Sequence, residues 1–176
     1  MSESNNTEPV ATKIVSTENR GGPWLPIVLA AMGGGVVLSG IFSGSTGLYG
    51  DSGMVTFADG VQESVRESIR FVIFSLLLLG ALRVHCWRMQ RPLGNLFLAS
   101  LRCLAVIALI EAVRVAQIPH GLIRVLLIVA AQYIVCAAGL LILFTMTIRE
   151  TVLFVSWCTV GAGLLWVGAY VGMWIA

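Results

Sequence analysis

The chain has 176 residues, 57% of them hydrophobic and only 11% charged, with a mean hydropathy of +0.91. Ordinary soluble domains are about 25% charged, so the composition excludes a typical soluble enzyme and points to an integral membrane protein. A formal charge of +2 excludes the strongly basic surface that nucleic-acid binding needs, and the polar stretches are too short to fold as separate domains.

Residues 1–22 are polar, lack hydrophobic periodicity and read as a disordered tail. The first apolar run covers residues 24–42. It is longer than the apolar region of a secretory signal peptide and follows a long polar tail, so a retained helix is expected. It contains Gly33-Gly34-Gly35, and Gly40 precedes Gly44 by four, a spacing that lets helices approach closely. Residues 43–53 read as a turn-rich loop.

An amphipathic stretch follows, with Met54, Phe57, Ala58, Val61, Val65 and Ile69 at helical spacing and acids between them. Asp59 with Gln62 resembles a capping box and places the start of a short interfacial helix near Gly60, a helix that can also run on into the second span. The second span is expected over residues 68–84. Arg83, His85, Trp87, Arg88 and Arg91 then form a basic, aromatic junction that ends at Pro92.

The third span, residues 96–115, is the polar one, with Arg102, Glu111 and Arg114. A rise of about 1.5 Å per residue lets roughly twenty residues cross a hydrocarbon core of about 30 Å. Its eleven Leu, Ile, Val and Phe residues contribute at best about −5 kcal/mol to insertion. Three charges at the bilayer centre, at about 2.5–3.5 kcal/mol each, outweigh that gain, so the charges must be off-centre, snorkelling, paired or neutralised. Glu111 and Arg114 share a helix face and are expected to pair, whereas Arg102 points to the opposite face and is expected to snorkel. The competing reading is a polar pathway or ligand contact within the bundle.

Pro119-His120-Gly121 breaks the chain before a fourth span over residues 122–148, which carries Gln132 near its middle as packing glue between helices. Arg149-Glu150 read as a tight turn before the fifth span, residues 151–175. There Gly168 and Gly172 form a GxxxG motif, and Trp174 suits an interface.

Four separated cysteines suit apolar filling rather than a disulfide framework or zinc site. His85 and His120 fall at opposite ends of the predicted spans, a bilayer apart under the predicted topology, which argues against bis-histidine haem within one chain and leaves only ligation shared with another subunit. No nucleophile elbow, zinc-binding helix motif or paired intramembrane acids occur, so no catalytic residue, metal or cofactor is expected.

The expected fold is an all-α, polytopic transmembrane bundle of five spans plus a short amphipathic interfacial helix. Lys/Arg placement predicts a cytoplasmic N-terminus and an outside C-terminus. The expected role is a non-enzymatic accessory or scaffolding subunit. Its partners are lipids and other membrane subunits, or a second copy through the glycine-rich faces. The alternative is a small transporter or channel that uses Arg102, Glu111 and Gln132.

Overall fold

The computed structural model describes residues 22–43, 56–115 and 122–175, which form five α-helices and no strand. These are α1 (Trp24–Phe42), α2 (Phe57–Arg88), α3 (Leu96–Val113), α4 (Leu122–Leu143) and α5 (Ile148–Ile175). Each of α1 to α4 contains a stretch long and apolar enough to cross a membrane. Residues 1–21 of the expected disordered tail (1–22), Gly44 with the loop up to residue 53, and the Pro119-His120-Gly121 break lie outside the described residues.

The amphipathic stretch is not a separate short helix. It forms the first turns of α2, which runs unbroken for 32 residues, about 48 Å. No proline interrupts it, and its apolar stripe continues directly into the second hydrophobic run. Its cap also differs from the sequence expectation. The Thr56 hydroxyl accepts from the Asp59 N–H at 3.3 Å and bonds the Asp59 carboxylate, so the helix begins at Phe57 rather than near Gly60.

The fourth apolar run ends early, at Leu143, and α5 begins at Ile148. Arg149 and Glu150 therefore lie in the first turn of α5 and not in a turn between helices. The cause is a second capping box: the Glu150 N–H donates to the Thr147 hydroxyl at 3.3 Å, and the Thr147 N–H donates to Glu150 Oε2 at 2.8 Å. Two backbone donors are satisfied by one Thr-x-x-Glu pair, which fixes where the chain re-enters a helix.

The end of α2 is equally specific. The Gln90 N–H donates to the Trp87 carbonyl at 3.2 Å and the Arg91 N–H to the Cys86 carbonyl at 3.0 Å, the paired bonds of a Schellman motif. Gln90 takes the left-handed position with φ of 52°, where glycine is the usual occupant. Pro92 follows, and Asn95 caps α3 by accepting from the Leu98 N–H at 3.2 Å.

The bundle is organised around α3, which packs against α1, α2 and α4. Its tightest contact is with α1. A Cβ added to Gly33 would lie 2.6 Å from the carbonyl carbon of Ala108 and 2.9 Å from the Leu109 nitrogen, so the two backbones touch there. Gly34 and Gly35 meet nothing within 4 Å. On its other sides α3 places Val106 against Gly139 of α4 and joins Leu82, Cys86, Leu140 and Phe144 in one buried cluster. The outward positions carry exposed Met32, Leu76, Leu77, Leu126, Ile134 and Leu153. An apolar exterior around enclosed polar side chains suits hydrocarbon surroundings.

Candidate functional site

Because α3 is surrounded by three helices, two opposite faces of it are enclosed. Arg102 is fully buried, and its neighbours one turn away, Leu98, Ala99, Ala105 and Val106, are buried with it. Ala99 and Ala105, three residues to either side on the same face, are small and fully buried beside it. The guanidinium is therefore held inside the bundle instead of being lifted to the surface.

Glu111 sits near the other end of α3, about 13 Å along the axis, and is 7% exposed. It pairs with Arg114, whose Nη1 donates to Oε2 at 2.6 Å. It also meets Arg70 of α2 at 3.5 Å, and Arg70 in turn donates to Glu67 Oε1 at 3.2 Å. The result is a chain of alternating charge, Glu67–Arg70–Glu111–Arg114, that ties α2 to the end of α3. Both carboxylates are buried while both arginines are about one third exposed, so each acid is neutralised from the rim. The Arg70 guanidinium also lies over the Phe74 ring, 5.3 Å from its centroid.

Neither Arg70 nor Glu67 stands out in the sequence as part of a site. Glu67 reads as the polar face of an amphipathic helix, and Arg70 falls inside the second apolar run. The usable signal was the helical spacing itself, since Glu67 and Arg70 repeat the three-residue spacing of Glu111 and Arg114.

Beside this ion chain, an open groove of about 540 Å³ runs along α1. Ala31, Gly35 and Ser39 line it at four-residue intervals with Ser43, and Val115 closes one side. Gly40 is buried in α1 and borders the groove. Gly168 is exposed and meets nothing within 4 Å, while the surroundings of Gly172 fall outside the described residues. Gln132 is half-buried on α4. None of Arg102, Glu111 and Gln132 lines the groove, so the three residues of the transporter alternative do not share it.

A second ion pair sits at the opposite end of the bundle. Arg91 donates from Nη1 to both Glu150 oxygens, at 2.9 and 3.1 Å, and from Nη2 to the Thr145 carbonyl at 3.2 Å. Burial alone would raise the Glu150 carboxyl. The Thr147 N–H, Arg91 and the Thr147 hydroxyl outweigh it and hold the group below the usual carboxylate range. His85 packs edge-on against Phe154, with ring centroids 5.4 Å apart. His120 lies outside the described residues.

Cys86 and Cys103 are buried and Cys136 and Cys158 half-buried, all as free thiols. Among the described residues, no three His, Cys, Asp or Glu side chains converge as a metal site requires.

Chemically, the Glu67–Arg114 chain holds and orients charge. It offers no nucleophile and no free base, because each carboxylate already has a guanidinium partner. Comparison with protein-family profiles, with curated proteins and with solved structures gave no match.

Proposed function

We propose that the chain is a non-catalytic, multi-pass membrane subunit that seats a transmembrane helix of another subunit in the α1 groove. The observation carrying this reading is the groove itself. Ala31, Gly35 and Ser39 recur at four-residue intervals on an outward face of α1, continued by Ser43 just past its end and flanked by Met32 and Val36, and none of the described helices of the chain fills the space between them and Val115. In hydrocarbon there is no hydrophobic drive between helices. Close backbone approach over small side chains is what provides association there.

In this reading residues 151–175 of α5 form a fifth span, with Arg149 and Glu150 just outside it. The Arg83–Arg91 end lies in the cytoplasm with the N-terminus, and the C-terminus lies outside. The Glu67–Arg114 chain stiffens the junction of α2 and α3 next to the groove, which keeps the α1 face in a fixed position for its partner.

The test is purification from the native host in mild detergent, followed by native mass spectrometry. A reproducible stoichiometric partner, lost from Gly35→Leu and Ser39→Leu variants that remain folded, supports the proposal. A chain that emerges alone or only as copies of itself overturns it. Attention would then pass to Arg102→Gln and Glu111→Gln in liposome flux assays.

A further inference from the structure

Positive charge is distributed unevenly over the described bundle. Arg66, Arg70 and Arg114 pair with carboxylates at one end, and Arg91 pairs with Glu150 at the other. Arg102 is interior. The remaining described arginine side chains, Arg83, Arg88 and Arg149, are all exposed and form no salt bridge. All three belong to the same end. The Arg91–Glu150 and His85–Phe154 contacts lay the last turns of α2 beside the first turns of α5, bringing Arg88 and Arg149 to one rim. Four of the five described acids lie on α2 and α3 near the other end, and the fifth, Glu150, is already taken by Arg91.

We infer that this rim binds anionic phospholipid headgroups through Arg83, Arg88 and Arg149. The depth fits. Arg83 and Arg88 are separated by about 7.5 Å of helix rise, and the polar layer of a bilayer is about 5–7 Å deep on each side. Both guanidiniums therefore reach one headgroup layer, Arg83 from just inside it by extending its stem. Trp87 is 82% exposed and lies four residues from Arg83 on the same face, where an indole marks the level of the headgroups. Guanidinium forks suit phosphodiester oxygens, and three of them facing a single leaflet with no competing carboxylate favour a phosphate carrying net negative charge over a zwitterion.

The inference rests on the chain being embedded in a bilayer and extends that reading to lipid selectivity. The experiment reconstitutes the full chain in bilayers of equal phosphatidylglycerol and phosphatidylcholine. Native mass spectrometry after gentle release then gives the ratio of the two lipids retained. Each arginine near a charged surface is worth roughly five-fold, so wild type should retain phosphatidylglycerol at least about ten-fold over parity. Replacing Arg83, Arg88 and Arg149 together by Gln should return the ratio to near parity. Replacing all three by Lys should keep most of it, and Arg66→Gln at the other end should leave it unchanged.

If the triple Gln protein fails to insert, Arg149→Gln alone should lower the ratio about five-fold. Millimolar inorganic phosphate should not displace the lipid; displacement would mark a free-phosphate site and overturn the proposal. Parity in wild type, or a ratio indifferent to the Gln replacements, also overturns it. A chain recovered in membranes with lipids at parity refutes the lipid site while leaving the membrane reading intact.

Discussion

Gly33→Ala is the sharpest test of how the bundle is built. The new methyl carbon would lie 2.6 Å from the Ala108 carbonyl carbon, 2.7 Å from its oxygen and 2.9 Å from the Leu109 nitrogen. Ordinary contact begins at 3.4 Å, so α1 must retreat from α3 by about 0.8 Å. The obstacle is backbone, and no rotamer change relieves it. Overpacking of this kind costs about 1–3 kcal/mol, and a backbone-on-backbone contact belongs at the upper end. Against this stands the better helix propensity of alanine, about 1 kcal/mol. Gly34→Ala gains the same propensity in open space, so the difference between the two variants isolates the steric cost. Unfolding in mixed micelles with increasing SDS, followed by far-ultraviolet circular dichroism, gives both stabilities. Gly33→Ala should fall below Gly34→Ala by roughly 2–3 kcal/mol. Equal stabilities would refute the α1–α3 contact described above.

Other outcomes follow from the same contacts. A double-mutant cycle with Arg70→Gln and Glu111→Gln should give a coupling of about 0.5–3 kcal/mol in the same titration; strictly additive losses would show that α2 and α3 are not joined there. Glu150 has a lowered pKa, so its contribution to stability is fully present above the unfolded-state value near 4.5 and is lost as pH falls through the folded-state value. Thermal melts should therefore show an acid-side loss of stability in wild type that is reduced in Glu150→Gln, and identical acid limbs would contradict the Arg91–Thr147 cage. Gln90→Gly should stabilise the protein by up to about 1 kcal/mol, since glycine carries no left-handed penalty at that position, and a destabilised variant would argue against the Schellman turn.

The sequence makes some of this legible and hides the rest for identifiable reasons. The Glu111–Arg114 pair could be read because both residues lie on one helical turn. Its extension to Arg70 could not, because Arg70 and Glu111 are brought together only by the packing of α2 on α3. Three successive glycines announce a close helix approach, yet the register of α1 on α3 decides that Gly33 makes it and Gly34 does not.

Arg102 illustrates a different difficulty. A long cationic side chain within an apolar run is ordinarily expected to snorkel, but Arg102 lies on a face of α3 whose neighbours Leu98, Ala99, Ala105 and Val106 are all buried, and it is buried with them. The start of α5 was locally readable, since Thr147 and Glu150 stand at capping-box spacing. Extending the apolar run through Ile148 obscured it. The surface that would receive a partner carries a local pattern, since Ala31, Gly35 and Ser39 recur every fourth residue, but only the packing of α1 on α3 decides that this face stays uncovered while Gly33 is buried.

The central position of α3 bears on how the protein is made. Its charged side chains leave this segment with little or no favourable free energy for entering lipid alone, yet α1, α2 and α4 all pack upon it. Its place in an apolar bundle therefore depends on the neighbours that enclose Arg102 and on Arg70 and Arg114, which pair with Glu111. The hub of the bundle is thus the helix least able to stand in lipid by itself. A nascent chain cut just after Val115 would hold α1 and α2 but lack the α4 side of that enclosure.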